Sequence, residues 1–479
     1  MLHIPQTPTG YPLSALYTVF ADGQNVPVRR CRVSAYPLNQ VWPGYQRPLY
    51  QTEEAAFASF DFNGEVTLRV VPARPFSCVV IKPLSRGVVP TVQDGVITFT
   101  LRQAGPYTVE LDGFHHALHL FAAAPKSYDL GDNTLYFGPG IHDVGLLDLE
   151  DDQTVYIDDG AVVYGAIRAF EKKNVRILGR GILDNSRLER YDDFKMYGDP
   201  SDIYSKVPTS SSIFFDRCEN VMVSGPICVD ASTWSIKTFG CTHVRIEDVK
   251  LIGFWRYNSD GIDFCNSQDV ELRDSFLRCF DDCIVVKGNK ACDIQPAENI
   301  RISHCVVWCD WGCALELGAD TVADSFSNIS FQDIDIIRTF GVAIGIQSSD
   351  RADIHNIAYE DIRVECDAQG ALAPVYQSDP NMVYENPNPN HLPWLLWSCI
   401  MHHDRYSSDS KRGKIHDILY RNISVTAPAM PPSSFSGFDE DHQTSDVRIE
   451  NFTLNGKPVT TLEDTNVTIG DYASDIVII

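Results

Sequence analysis

The sequence predicts an all-β chain, a right-handed parallel β-helix preceded by an N-terminal antiparallel β-sandwich. Three observations carry this. First, a short unit recurs: Asn, Asp or His, then Val or Ile, then alternating apolar and polar residues. It starts at Asn174, Asn220, His243, Asp269, Asn299, Asn328, Asn356, Asp417, Asp446 and Asn466, with most neighbouring starts 20 to 30 residues apart. A repeat of that length, one strand-rich coil each, is the mark of a stacked solenoid. Second, no long amphipathic helices alternate with strands, which argues against a TIM barrel or a doubly wound sheet. A propeller would need longer repeats with four strands each. Third, residues 1–125 lack the repeat altogether.

Along the chain, residues 1–125 carry period-2 runs such as 66–71 and 96–101 between turn clusters, as in a small sandwich. Residues 41–50, rich in Trp, Tyr, Gln and Arg, read either as a Pro-Gly loop packed on the next domain or as a sugar contact. Ala122-Ala123-Ala124-Pro125 is the junction, and residues 126–479 form the β-helix. Its strands, for example 244–249, bury a column of Val, Ile, Leu, Phe and Cys. Two steps are long. The 46 residues from Asn174 to Asn220 include residues 191–194 and 197–204. The 61 residues from Asn356 to Asp417 hold Pro374, Pro380, Tyr384, Pro387, Pro389, Pro393, Trp394 and Trp397. The second reads as a long excursion and the first as another excursion or a doubled coil, and long loops on rigid scaffolds tend to carry function. The strand edges at the helix ends call for a cap, from the N-terminal domain or from a second copy in a homo-oligomer.

The net charge of −25 excludes nucleic acid as a partner, since phosphate binding needs basic surface. It also disfavours long polyanionic substrates through long-range repulsion, which salt screens within about 10 Å. No run approaches the roughly 20 apolar residues of a membrane-spanning helix, so no membrane partner is expected. The first eight residues show no basic region followed by an apolar core. Of the 14 cysteines, Cys218, Cys228, Cys241, Cys265, Cys279 and Cys305 sit inside β-like runs, where they serve as small apolar fillers. Reduced thiols suit a cytoplasmic protein. Cys309 and Cys313 lack a second matching pair, so neither a zinc site nor any other metal or cofactor is expected.

The chemistry is concentrated in Asn258-Ser259-Asp260-Gly261-Ile262-Asp263 and Asp281-Asp282-Cys283. The 21-residue step from Asp260 to Asp281 is about one coil, so the runs share a face. Clustered carboxylates repel, which raises at least one pKa. Stability alone would avoid that arrangement. Sugar hydrolysis needs it: one carboxylic acid protonates the leaving oxygen while a carboxylate activates water. Asp263 reads as a turn residue bonding its own backbone.

These two runs, with the stack around them and Gly179-Arg180-Gly181-Ile182-Leu183-Asp184 upstream, resemble the polygalacturonases and their relatives, glycoside hydrolase family 28. The resemblance covers roughly residues 130 to 470. It implies an inverting glycosidase in which Asp281 is the general acid while Asp260 and Asp282 hold and activate water. Asn258 would orient a carboxylate or a sugar hydroxyl, and Lys287 would balance the negative cluster or contact the oligosaccharide substrate.

The chain departs from the family where the sugar carboxylate is held. Trp311 stands where the family has a histidine, offering a flat face to a neutral ring. The next coil, residues 340–347, contains no Arg or Lys, so a carboxylate would lack charge-assisted partners. Glu316 is a fourth acid that either bonds sugar hydroxyls or faces solvent. Arg338 and Gln347 are expected to line the cleft, and His402 or His403 to close over it; the His-His-Asp run at 402–404 has no metal-ligand spacing. The sandwich and the missing basic residues are also similar to the dextranase and isopullulanase family. A catalytically inactive carbohydrate-binding β-helix is the third reading, opposed by the presence of all three aspartates.

Overall fold

The computed structural model describes residues 2–37, 49–188, 211–366, 391–404 and 406–479. Residues 41–48, 191–194, 197–204 and 374–389, together with Arg405, lie outside the described residues. Among those described there is no α-helix, only strands and single-turn 3-10 segments.

The N-terminal part is a sandwich of two sheets. One is antiparallel throughout and orders Gln24–Val26, Tyr17–Ala21, Val66–Pro72, Val96–Leu101 and Thr91–Gln93. The other is built on Thr52–Phe62, with Arg29–Ser34 antiparallel to it and Leu118–Ala123 parallel to it. Period-2 patterning explains the packing. Val66, Leu68 and Val70, with Ile97, Phe99 and Leu101, turn inward and meet Ala56, Ala58, Phe60, Leu118 and Leu120 from the facing sheet.

From Thr134 onward the described residues form one continuous stack of 31 strands, parallel among them except for the hairpin of Phe452–Leu454 with Lys457–Val459. Most coils place one strand in each of three sheets, and in others a single long strand such as Ser325–Thr339 runs through two of them. The first sheet includes Ile213–Asp216, Ile236–Phe239, Ile262–Cys265, Ile284–Gly288, Cys313–Thr321 and Val342–Ser348. The second includes Glu219–Ser224, Thr242–Glu247 and Gln268–Arg273. The third includes Ile227–Val229, Lys250–Ile252, Phe276–Cys279 and Val306–Cys309.

The sequence repeat has a physical origin in the corners. All ten of its Asn, Asp and His residues have φ between 49° and 59°, a left-handed conformation that short polar side chains tolerate best. Nine of them open the second sheet, and Asn466 instead caps the 3-10 turn Glu463–Thr465. The corner side chains bond to one another up the stack: Asn220 Nδ2 donates to Asn174 Oδ1 (2.6 Å), and Asn299 Nδ2 to Asp269 Oδ1 (3.0 Å). The residue after each corner turns inward, so Val175, Val221, Val244, Val270, Ile300, Ile329 and Ile357 line the core. Five of the six cysteines read as fillers do the same. Cys265 does not: it lies on the outer face of the first sheet with Phe214, Phe239 and Cys292. All 14 cysteines are free thiols, and 13 of them are buried.

The sandwich covers the outer face of the third sheet, where Phe57, Phe114 and Phe121 meet Phe276, Trp308 and Phe340. Polar groups seal the joint. Arg338 donates from Nε (3.0 Å) and Nη2 (2.7 Å) to the Glu110 carboxylate, and Arg278 donates to His119 Nε2 (2.9 Å). This corrects the expectation for Arg338. Its strand, Ser325–Thr339, runs through the second sheet into the third, where Arg338 registers with Trp308. It therefore joins the two domains rather than lining a cleft beside the aspartates.

Candidate active site

The first sheet presents an unusual outer face. Ile236, Ile262, Ile284, Leu315 and Ile344 point into the core. The residues that follow them, Lys237, Asp263, Val285, Glu316 and Gly345, therefore point outward in one register column. On a bare β-helix such a column would be solvated. Here Lys237, Asp263 and Glu316 are each at most 1% exposed. A covered, charged floor is the setting for a site rather than for a surface.

The acidic run enters that floor through a tight bend. Asn258 adopts a left-handed φ of 55°, and Ser259 Oγ donates to the Arg256 carbonyl (2.5 Å). Gly261 N donates to the Asp282 carbonyl (2.8 Å), and Ile262 N to the Cys283 carbonyl (2.9 Å). Those two bonds set Asp260 one coil from Asp282, with Asp281 one residue earlier. The glycine is required, because a Cβ at 261 would collide with the Cys283 carbonyl.

Lys287 is the hub. Its Nζ donates to Asp260 Oδ2 (2.8 Å), and it lies 2.9 Å from Asp263 Oδ1 and 3.8 Å from Asp282 Oδ2. It also stands 4.0 Å from the ring centre of Trp234, a cation–π approach. Asp282 Oδ1 accepts from Cys313 N (2.8 Å), and Asp281 Oδ1 from Asp282 N (3.1 Å). The structure thus corrects the reading of Asp263, which is a buried strand residue facing Lys287 and not a turn.

The other expected residues divide. Asn258 is half-buried, and its Oδ1 has no protein hydrogen-bond partner. Trp311 stacks on Phe280 (6.0 Å, 9°) beside Tyr257 and remains partly exposed. Glu316 does not face solvent. It fills the space over Gly345, where any Cβ would collide with it, and Gln347 lies alongside with Nε2 3.5 Å from Cys313 Sγ. His403 stays exposed and stacks on Tyr406 (4.6 Å), on a loop that Ser408 N and Asp409 N anchor to Asp350 Oδ1. His402 lies against Arg412 on the same loop.

Two residues went unnoticed in the sequence. Lys237 lies one coil from Asp263, boxed by Phe214, Trp234 and Phe239. Trp234 lies over Lys287. Only the stacking of coils gives either one a role.

Burial dominates the electrostatics. Burial pushes Asp263 up to about 6, against the pull of Lys287. Burial drives Glu316 well above the carboxylate range, aided by repulsion from Asp282, and pulls Lys237 down to about 7. Lys287 goes the other way: despite burial, Asp260, Asp263 and Asp282 hold it charged. Elsewhere burial lifts Asp230 and Asp320 to about 6 and Glu365 to about 7. A carboxyl whose folded pKa is raised binds more protons folded than unfolded, so stability falls as pH climbs from the unfolded value to the folded one. For these groups that window is about pH 4 to 7. A carboxyl whose pKa rises by one on folding loses about 1.4 kcal/mol of stability across its window. Glu247, lowered to about 2, acts only below this window. The expected result is a melting temperature several degrees higher at pH 5 than at pH 7.5, measured by calorimetry at constant ionic strength; a melting point that rises with pH would contradict it.

Comparison with known proteins agrees with this architecture. The model of Glycosyl hydrolases family 28 matches residues 162–376, which include the whole carboxylate cluster. The polygalacturonase of Gossypium barbadense is 24% identical over 193 residues, 35% of this chain and 46% of that protein. Exopolygalacturonase rpg15 of Rhizopus delemar is 26% identical over 241 residues, 48% of this chain and 59% of that protein. The chain thus spans about half the length of the curated relatives it matches. Dex49A from Penicillium minioluteum shares the fold over 98% of this chain and 96% of its own, with a TM-score of 0.58 and 14% identity. Over residues 162–376 the chain is thus similar in sequence to Glycosyl hydrolases family 28, and it shares a parallel β-helix fold with Dex49A.

Proposed function

We propose that this protein is an inverting glycoside hydrolase that cleaves O-glycosidic bonds of an oligosaccharide built from neutral sugars or from non-standard pectic units. The observation that carries the reading is the stack of Asp260 and Asp282 around Lys287, with Asp281 at the bend and Trp311 beside it. Asp281 protonates the leaving oxygen, and Asp260 and Asp282 direct the attacking water. Asn258 Oδ1 accepts from a sugar hydroxyl, and Glu316, whose carboxyl burial drives well above the carboxylate range, lies on the same floor. The neutral-sugar preference rests on what surrounds the cluster. Lys287 is engaged by carboxylates and Arg338 by Glu110. Lys237, drawn down to about 7, is an amine of low charge above that pH. A thiol-rich core suits the cytoplasm and short imported substrates.

A second reading, hydrolysis of an α-glucan, is favoured by the N-terminal sandwich and by Trp311. Incubation with a panel of neutral, α-glucan and uronic oligosaccharides, with product anomers followed by NMR, separates the two. Inverted product from a neutral pectic or α-glucan member identifies the substrate; turnover of polygalacturonate alone would refute the neutral-sugar preference.

Gly312 offers a sharper check. A Cβ there would lie 2.5 Å from Asp282 Oδ1 and 2.7 Å from Asp281 Oδ1. Gly312→Ala should displace both carboxylates and lower kcat about 100-fold, the usual cost of a misplacement near 1 Å. Wild-type kcat in that variant would remove these two groups from the chemistry.

A further inference from the structure

On the second sheet, in a face separate from the carboxylate floor, Asp353, His355 and His416 each bring one ligand atom within 4.8 Å of the others. Asp353 and His355 are two apart on the strand Asp353–Glu365 and so share its outer side. His416 sits on Lys414–Arg421, in direct register with His355. His416 Nε2 is 3.1 Å from Asp353 Oδ1, and His355 Nδ1 is 3.7 Å from Asp353 Oδ2. Donors around a tetrahedral zinc ion at about 2.0–2.1 Å stand about 3.3 Å from each other. Both separations therefore need shifts of only a few tenths of an ångström. The two imidazoles stack in parallel with ring centres 5.3 Å apart. Their side chains are 35% and 37% exposed, which leaves room to turn a nitrogen toward a common point.

We propose that Asp353, His355 and His416 form a binding site for a divalent transition-metal ion. Two imidazoles and one carboxylate suit zinc and its neighbours, and not calcium or magnesium, which take oxygen ligands. Water completes the coordination. The sequence gives no expectation of a metal, because 61 residues separate the two histidines and only the stacking of coils brings them together. The repeat does mark the place: His355-Asn356-Ile357 and His416-Asp417-Ile418 are the same corner, one coil apart. Bound metal would staple the two coils that bracket the long excursion and the first-sheet strand Trp394–Ile400. The competing account is a stacked histidine pair beside one carboxylate, with no ion.

The test is calorimetric titration of zinc chloride into the EDTA-treated full chain. Wild type should show a zinc site that His416→Ala loses or binds at least tenfold more weakly, with Asp353→Asn intermediate. Zinc should raise the melting temperature of wild type and not that of His416→Ala, since an ion binding only the folded chain stabilises it. His355→Gln serves as the second variant if His416→Ala folds poorly. Equal zinc affinity and stoichiometry in wild type and both histidine variants would overturn the site, as would the absence of zinc binding by wild type.

Discussion

Asp281→Asn should lower kcat about 1,000-fold while leaving the melting temperature unchanged or slightly raised. Proton transfer from a positioned acid contributes about 10² to 10⁴ in rate, and an amide cannot donate a proton to a departing sugar oxygen. Asn keeps an oxygen to accept from Asp282 N, and removing one carboxylate from a crowd of them relieves repulsion. Loss of activity would then reflect chemistry and not unfolding. A second measurement fixes the role. An activated substrate whose leaving group needs no proton, such as a nitrophenyl glycoside, should restore much of the rate to Asp281→Asn and little to Asp260→Asn. Equal rescue of both variants would remove the acid from Asp281, and undiminished turnover of the natural substrate would remove the residue from the mechanism.

Much of this molecule was legible because a solenoid writes its geometry into its sequence. Each corner demands a residue that tolerates a left-handed backbone, and each following position demands a β-branched residue turned inward, so Asn220-Val221 and Asn299-Ile300 announce the coils directly. The three aspartates were legible for the same reason, since a one-coil step brings Asp260 and Asp282 together. What escaped depends on which sheet a residue faces and what covers it. Arg338 looks like a cleft residue on its strand, but the third sheet is covered by the sandwich, where Glu110 waits for it. Asp263 resembles a turn aspartate, yet the turn ends at Gly261 and the strand has begun. Lys237 and Trp234 lie 23 and 26 residues before Asp260, a distance that carries no meaning until coils of that length are stacked.

Lys287→Met should cost both stability and activity, and both losses should depend on pH. The ammonium lies within 3.8 Å of three carboxylates, and breaking a buried ion pair from one side typically costs about 3–5 kcal/mol because the remaining charge is stranded. The stranded carboxylates have another way out, which is to bind protons. At pH 5 that escape is cheap, and the variant's deficit in melting temperature should shrink; at pH 7.5 it should be full. Activity should follow the opposite course. Asp260, which burial drives well above the carboxylate range while Lys287 pulls it back down, must be ionised to activate water, so without the cation the acidic limb of the pH–rate profile should move upward. Lys287→Arg, which restores charge in a bulkier form, should recover more of the stability than of the rate. A deficit in Lys287→Met that is equal at pH 5 and pH 7.5 would mean that packing against Trp234, rather than the charge shared among the carboxylates, is what Lys287 supplies.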